Sequence, residues 1–534
     1  MRGGSQRFSM PLPPSRRLAF SLAALCLAGA LVFLADRAIA WRLDFGNPLA
    51  LLTDAGGGPR ARCFSLAVNR AGAPSRAPRR KPSGTIRVFT FGGSATYGVP
   101  FAFGGSFSRW FAELAERRLA DRVEILNTGA PAQPVNDVVR KAEASLAYEP
   151  DIWIVYSGNN EFLASNNEVI RPRDKQPRRR IAADFLRRRS PLFAWLDERL
   201  APYRGPGPGD APLRLRDVLP AARDNYRNRL TQLADLARQR GVTLVLCTVP
   251  ANYADWEPLS SVPGNSAPAP FLRQWDADVD PLRRALRQGD CPGAARILDA
   301  YRGDFVGHAQ FAFLSGKYEQ VCGSPARAYA LYHEAAENDF DAVRARPTFN
   351  DDVRQIAREH GALLLDLVDL FERQDPNRFV GFNLFVDSCH PTIRGQYLAG
   401  ATMFEALVRH GALHVNNSWT GAAPSFDAVL AEHPAINWSG YVNSACLLLT
   451  MNAAYAEQAE KWALTAMTGG PFSGAWATVA LARAARGDDP KPPLRQALAL
   501  ADGSAAKVLA AVPVPREMTD RLAGWLAEIA TEGR

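Results

Sequence analysis

Ser94, Asp387 and His390 are the residues whose types and settings could together perform nucleophilic chemistry in this 534-residue chain. A serine hydroxyl becomes a nucleophile when a base takes its proton, a third group orients that base, and donors receive the oxyanion. Asp387-Ser388-Cys389-His390-Pro391 supplies the base and its orienting group. His390 would take the Ser94 proton. Asp387, three residues earlier in a turn fixed by Pro391, would accept from the other ring nitrogen and stabilise the imidazolium. Asn160, within Gly158-Asn159-Asn160-Glu161, would offer its side-chain amide to the oxyanion. Backbone N–H groups of Ser94 and of the turn after the second strand would complete the hole. Taken singly, each signal is ordinary. Gly-Gly-Ser joins many strands to helices, Asp-x-x-His is common, and an asparagine often just closes a turn.

These residues need a scaffold that brings distant segments to one edge. Thr85 to Ser94 reads TIRVFTFGGS, a short apolar run rich in β-branched and aromatic residues that ends in two glycines. It predicts a buried parallel strand with Ser94 at the carboxyl edge of the sheet, where open α/β sheets place ligands. Gly92 and Gly93 would let the backbone turn where a Cβ would clash. Further strands are predicted at Val123 to Leu126, Asp151 to Tyr156, Val242 to Val249 and Ala362 to Leu367. Helical periodicity alternates with them at Phe107 to Leu119, Val135 to Tyr148, Ala221 to Arg240, Val353 to His360 and Ile393 to His410. Strands alternating with helices imply a parallel sheet covered on both faces.

In order along the chain, Gly-Gly-Ser94, Asn127-Thr128-Gly129 with Ala132, Gly158-Asn159-Asn160-Glu161 and Asp387-x-x-His390-Pro391 resemble the four blocks of the SGNH/GDSL hydrolases. The resemblance covers about residues 85 to 412. It implies a flavodoxin-like three-layer α/β/α sandwich and metal-free, cofactor-free ester hydrolysis or acyl transfer. It also implies Ser94 as nucleophile, Asp387 and His390 as the acid–base pair, and Asn160 as oxyanion donor. Thr248-Val249-Pro250-Ala251-Asn252 and a helical insertion are similar to a bacterial membrane-anchored branch that carries tetratricopeptide-like helices. Two departures stand out. The first block has Gly93 where the family has Asp. Ala132 falls where the family's second-block oxyanion glycine is expected; its Cβ makes a positive φ unfavourable, which leaves Gly129 as the fallback donor.

Length and composition frame the rest. The chain is too long for one compact core, and 47% apolar with 22% charged residues is ordinary for a globular protein. The net charge of +9 is concentrated locally and does not point to nucleic acid. No zinc-type cysteine spacing, Walker loop or Gly-x-Gly-x-x-Gly signature is present. Four arginines precede the uncharged run Leu18 to Ala35, which reads as a single membrane anchor with residues 1–17 in the cytoplasm and the catalytic body in a bacterial periplasm. Ala38-Ile39-Ala40 would serve as a cleavage site if the segment were a signal peptide. Residues 36–84 read as a linker, 85–412 as the hydrolase with a helical insertion at 280–346, and 413–534 as a helical, tetratricopeptide-like region. Cys291 and Cys322 each sit between predicted helices of a repeated hairpin and could pair. The arginine-rich insertion Phe162 to Leu219 reads as a solvated loop or as a cap for lipid head groups or an anionic substrate. The expected partners are an acyl ester, lipid or acylated glycan, the membrane, and a protein on the C-terminal helices. The alternatives are an O-acyltransferase acting on a glycan and a non-enzymatic helical scaffold.

Overall fold

The computed structural model describes residues 32–39, 63–68, 74–162, 186, 190–200, 215–259, 261, 269–340, 342–416, 423–432, 438–500, 502–511, 521, 524–529 and 531. They fall into two units. The larger comprises Cys63–Pro172 and Ala211–Arg534; the smaller comprises Met1–Arg62 and Arg173–Asp210. In the smaller unit the Asp36 carboxylate accepts from Ser190 Oγ at 2.8 Å and from the Leu192 amide at 3.1 Å, at the start of the helix Pro191–Leu200. Most of the apolar run 18–35 and the arginine clusters at 171–189 lie outside the described residues. Among those described, no helix is long and apolar enough to cross a membrane.

The larger unit is built on seven strands: β1 (Cys63–Val68), β2 (Pro74–Pro78), β3 (Thr85–Gly92), β4 (Arg122–Asn127), β5 (Ile152–Tyr156), β6 (Thr243–Cys247) and β7 (Leu363–Leu365). Their spatial order is β2-β1-β4-β3-β5-β6-β7. The last five run parallel, and their order is the flavodoxin-like one, with its switch point between β3 and β5. β1 adds antiparallel to β4, and β2 antiparallel to β1. The linker reading of 36–84 is thus corrected: the sheet begins two strands earlier. The Arg- and Pro-rich composition of that stretch hid them, and Pro74 and Pro78 are tolerated because β2 is an edge strand. β3 is held to this edge by Arg87, whose guanidinium donates to Glu124 Oε2 and to the carbonyls of Pro78, Arg79 and Tyr148.

Helices cover both faces. On one side α2 (Phe107–Arg118) packs against α10 (Ile393–Arg409). On the other, α4 (Leu215–Arg240) packs against α3 (Val135–Ser145) and α9 (Pro347–His360). The four-residue α1 (Ser94–Tyr97) follows β3 directly. β7 is shorter than predicted because Asp366 accepts from the Asp369 amide and opens a new helix, Leu367–Glu372. α4 starts six residues before its predicted Ala221, and α5 (Ala269–Gln288) begins well before residue 280. Each runs through a proline, Pro220 and Pro281, that from sequence reads as a boundary.

The insertion continues as α6 (Cys291–Asp299), α7 (Ala309–Cys322) and α8 (Pro325–Asn338). Gly316 lets α7 approach α8 closely: a Cβ there would sit 2.8 Å from the Tyr332 ring. A disulfide joins Cys291 to Cys322. Trp275, Tyr301, Phe305 and Phe313 build a separate aromatic core for this helical layer. The C-terminal helices α11 (Ser439–Met451), α12 (Ala456–Ala466) and α13 (Ser473–Arg486) instead share the hydrolase core. Tyr441, Leu448, Trp462 and Ala475 lie in one apolar cluster with Phe101, Trp110 and Phe404.

Candidate active site

The end of β3 requires glycine twice. A Cβ on Gly92 would lie 2.0 Å from the Tyr156 carbonyl oxygen, and one on Gly93 would lie 2.2 Å from Asn160 Nδ2. These close approaches bring the ends of β3 and β5 together at the switch point and present Ser94 there. The structure brings the two late residues to it across 296 positions: His390 Nε2 lies 2.7 Å from Ser94 Oγ. His390 Nδ1 lies 2.6 Å from Asp387 Oδ2. The other Asp387 oxygen accepts from the amides of Cys389 (3.0 Å) and His390 (2.8 Å).

The loop carrying this pair is clamped from several sides. Its neck closes through Val386 N donating to His390 O at 2.9 Å and an isolated bridge between Phe385 and Pro391. Asn252, beyond β6, donates through Nδ2 to Asp387 O at 3.1 Å and through its backbone N–H to Ser388 O at 2.9 Å. Ser388 Oγ donates to Val343 O at 3.1 Å, in the bend that leaves the helical insertion. Trp462 Nε1, from α12, donates to Val386 O at 3.2 Å. The helical insertion and the C-terminal helices thus each contribute a hydrogen bond to this loop or to the residue just before it.

Burial and charge set the protonation of the pair. Burial would raise the Asp387 carboxyl, but the His390 imidazole and the backbone amides of Cys389 and His390 outweigh it and hold the pKa below the ordinary carboxylate value. Burial would lower His390, but the Asp387 carboxylate outweighs it and raises the imidazole well above its ordinary value. The site is thus poised to stabilise an imidazolium. Cys389 Sγ approaches His390 Nδ1 at 3.8 Å, so Asp387, Cys389 and His390 also form a cluster with metal-ligand chemistry. The 2.6 Å separation of the Asp387 and His390 atoms is that of a hydrogen bond, shorter than two ligands spread around one ion would leave.

The three expected oxyanion donors fare differently. Asn160 Nδ2 lies against Gly93 and donates one hydrogen to Gln133 O at 3.1 Å, which orients the amide and leaves its second hydrogen. Gly129 is corrected as a donor: its N–H is taken by Asn127 Oδ1 at 2.9 Å, within a turn whose Asn127 Nδ2 also donates to Thr96 O. Ala132 overturns the expectation about its backbone, for it adopts φ 59° despite its Cβ. A left-handed alanine persists only where surrounding contacts impose it.

Sequence reasoning gave the supporting residues no role, although Glu161 and Asn252 stand within motifs it quotes. Glu161 accepts from the Val135 amide at 3.0 Å and so caps α3, whose N-cap position is Pro134 and has no side-chain cap of its own. Lys141 lies within the buried stripe of α3, a lysine among valines that was a readable signal. Asn252 follows a strand at its carboxyl end, which was another.

The fold is an α/β protein with a parallel sheet of flavodoxin-like order, and at its switch point a serine hydroxyl, an imidazole and a carboxylate are hydrogen-bonded in series. No family model and no curated protein matches the chain. Among solved structures it is similar to a lipase/acylhydrolase from Enterococcus faecalis, at 14% identity and TM-score 0.30, covering 62% of this chain and 100% of that one. It is similar to the acetylxylan esterase Axe2 from Geobacillus stearothermophilus, at 13% identity and TM-score 0.30, covering 64% of this chain and 97% of that one. A GDSL-like lipase from Bacteroides thetaiotaomicron aligns at 10% identity and TM-score 0.27, covering 61% of this chain and 89% of that one. Likenesses this low carry no inference about what this chain acts on.

Proposed function

We propose that this protein is a serine esterase that hydrolyses carboxylic esters through Ser94, His390 and Asp387. The observation that carries the reading is the unbroken hydrogen-bonded series from Ser94 Oγ through His390 to Asp387, at 2.7 and 2.6 Å. Ser94 Oγ attacks the ester carbonyl carbon while its proton passes to His390 Nε2. The oxyanion is received by the second amide hydrogen of Asn160 and by backbone N–H groups at Ser94 and Ala132. His390 then gives its proton to the departing alcohol, and the acyl group stays on Ser94. Water resolves the acyl-enzyme by the same path, with His390 as base. Asp387 remains ionised throughout and orients the imidazole.

We place the reaction outside the cytoplasm, with residues 18–35 as a single-pass anchor. The support is the run of uncharged residues after four arginines. The acyl group is carried by a lipid or a glycan in this reading.

The test is a panel of p-nitrophenyl esters of increasing chain length, run on the full chain and on Ser94→Ala. Hydrolysis should fall at least a thousandfold in the variant, and a fluorophosphonate should label the parent at Ser94. Equal hydrolysis by both proteins would end the proposal. Protease accessibility of the catalytic body in cells stripped of their outer layer tests the placement; a protected body would refute it.

A further inference from the structure

The turn that carries Ala132 runs from Thr128 to Gln133, and one buried ammonium holds both of its ends. Lys141 Nζ, on α3, donates to the Thr128 carbonyl and, at 2.8 Å, to Gln133 Oε1. Gln133 in turn offers its backbone carbonyl to the Asn160 amide at 3.1 Å. Between the two anchor points sits Ala132 at φ 59°, a conformation that L side chains disfavour. Lys141 is only 5% exposed, and desolvation lowers its pKa to about 8. The buried residues one turn away on the same helix face are Val138 and Ser145. A methionine would fill the same space without desolvating a cation, so packing alone does not call for lysine here.

We propose that Lys141 is the positioning residue of the oxyanion loop. Its ammonium pins Thr128 and Gln133, so that Ala132 between them stays left-handed and the loop keeps its shape beside Ser94. The same clamp keeps the Gln133 carbonyl against the Asn160 amide. A glycine at 132 would hold this backbone conformation without help; an alanine needs the clamp. The inference rests on the esterase reading above.

The test uses p-nitrophenyl acetate and the full chain with Lys141→Met, Gln133→Leu, Ala132→Gly, the double variant Lys141→Met/Ala132→Gly, and Ser94→Ala as control. Lys141→Met should lower kcat about 10- to 100-fold, with KM within about threefold, because a misaimed donor is lost from the transition state and not from substrate binding. Gln133→Leu should lower kcat in the same direction by less. In the Ala132→Gly background the Lys141→Met penalty should shrink several-fold, which a merely structural lysine would not produce. A folded Lys141→Met whose kcat stays within twofold of the parent overturns the proposal. So does a penalty that Ala132→Gly leaves unchanged. Should Lys141→Met not fold, Gln133→Leu decides: an unchanged kcat there also overturns it. Hydrolysis that survives Ser94→Ala marks the different failure, that of the esterase reading, and takes this inference with it.

Discussion

At the scale of single residues, the proposed reaction requires His390 to be neutral when Ser94 attacks. Asp387 holds the imidazole pKa above its ordinary value of about 6.5, so kcat/KM should climb as pH rises through a value above that. Asp387→Asn removes the largest raising influence, so that burial, which lowers the imidazole pKa, weighs more. The acid limb of the profile should then move to lower pH while the maximal rate drops about 10³- to 10⁴-fold. A pH–rate profile of both proteins checks this; an unmoved limb would assign it to another group. The same pair links folding to pH. His390 contributes stability that is complete below its unfolded pKa of about 6.5 and lost as pH rises through its raised folded value. Asp387 contributes stability present above about 3.9 and lost as pH falls through its lowered folded value. Gly93→Ala tests the packing of the hole. Its Cβ would fall on Asn160 Nδ2, so kcat should fall by about 10²-fold or more, much as in Asn160→Ala. Parent-like turnover in Gly93→Ala would show that the amide is not needed there.

Elements place these residues, and the helix α3 is the one whose start matters most. Its cap comes from outside, from Glu161 directly after Asn160, so the third block and the second-block loop are fastened together. Burial pushes the Glu161 carboxyl up to about 8, so it carries a proton at neutral pH. The native state then binds a proton that the unfolded chain releases near pH 4. The contribution of Glu161 to stability therefore declines as pH rises from about 4 to about 8. Glu161→Gln should keep the cap and flatten that part of the stability–pH curve. Glu161→Ala should cost about 1 kcal/mol at neutral pH, measured by denaturant unfolding. The alternation of strands and helices was legible because the buried parallel strands are continuous apolar runs, as in Val242 to Val249. β1 and β2 were not: β2 reads PSRAP and carries no such signal, β1 is a short apolar run within an Arg-, Gly- and Pro-rich stretch, and the ribbon joins the sheet only by the pairing of β1 with β4.

For the larger unit as a whole, the helices added to the sandwich form part of its core and of its site. Tyr441, Leu448 and Trp462 share an apolar cluster with Trp110 and Phe404, and Trp462 donates to the carbonyl beside Asp387. A chain ending after residue 432 should therefore expose that cluster and aggregate or lose its cooperative unfolding transition, judged by size-exclusion chromatography and thermal melting. A soluble, active fragment would show that the C-terminal helices are dispensable. Trp462→Phe is the milder test: an aromatic ring smaller than the indole is kept and the donor is lost. It should lower kcat several-fold with a small loss of stability, because the Val386 carbonyl loses its partner.

The sequence by itself determined which residues could react and the kind of sheet that would hold them. Glycines before a serine, an asparagine after a strand, and an acid three residues before a histidine are local patterns. The periods of strands and helices are local too. Tertiary structure decided which donors are available: Asn127 takes the Gly129 amide, and packing around Ala132 imposes a backbone conformation that its own Cβ opposes. It also decided that Lys141, Glu161, Asn252 and Trp462 belong to the site's support. The physical reason is that hydrogen bonds between residues dozens or hundreds of positions apart have no period. They exist only when packing has brought a buried polar group to its one available partner.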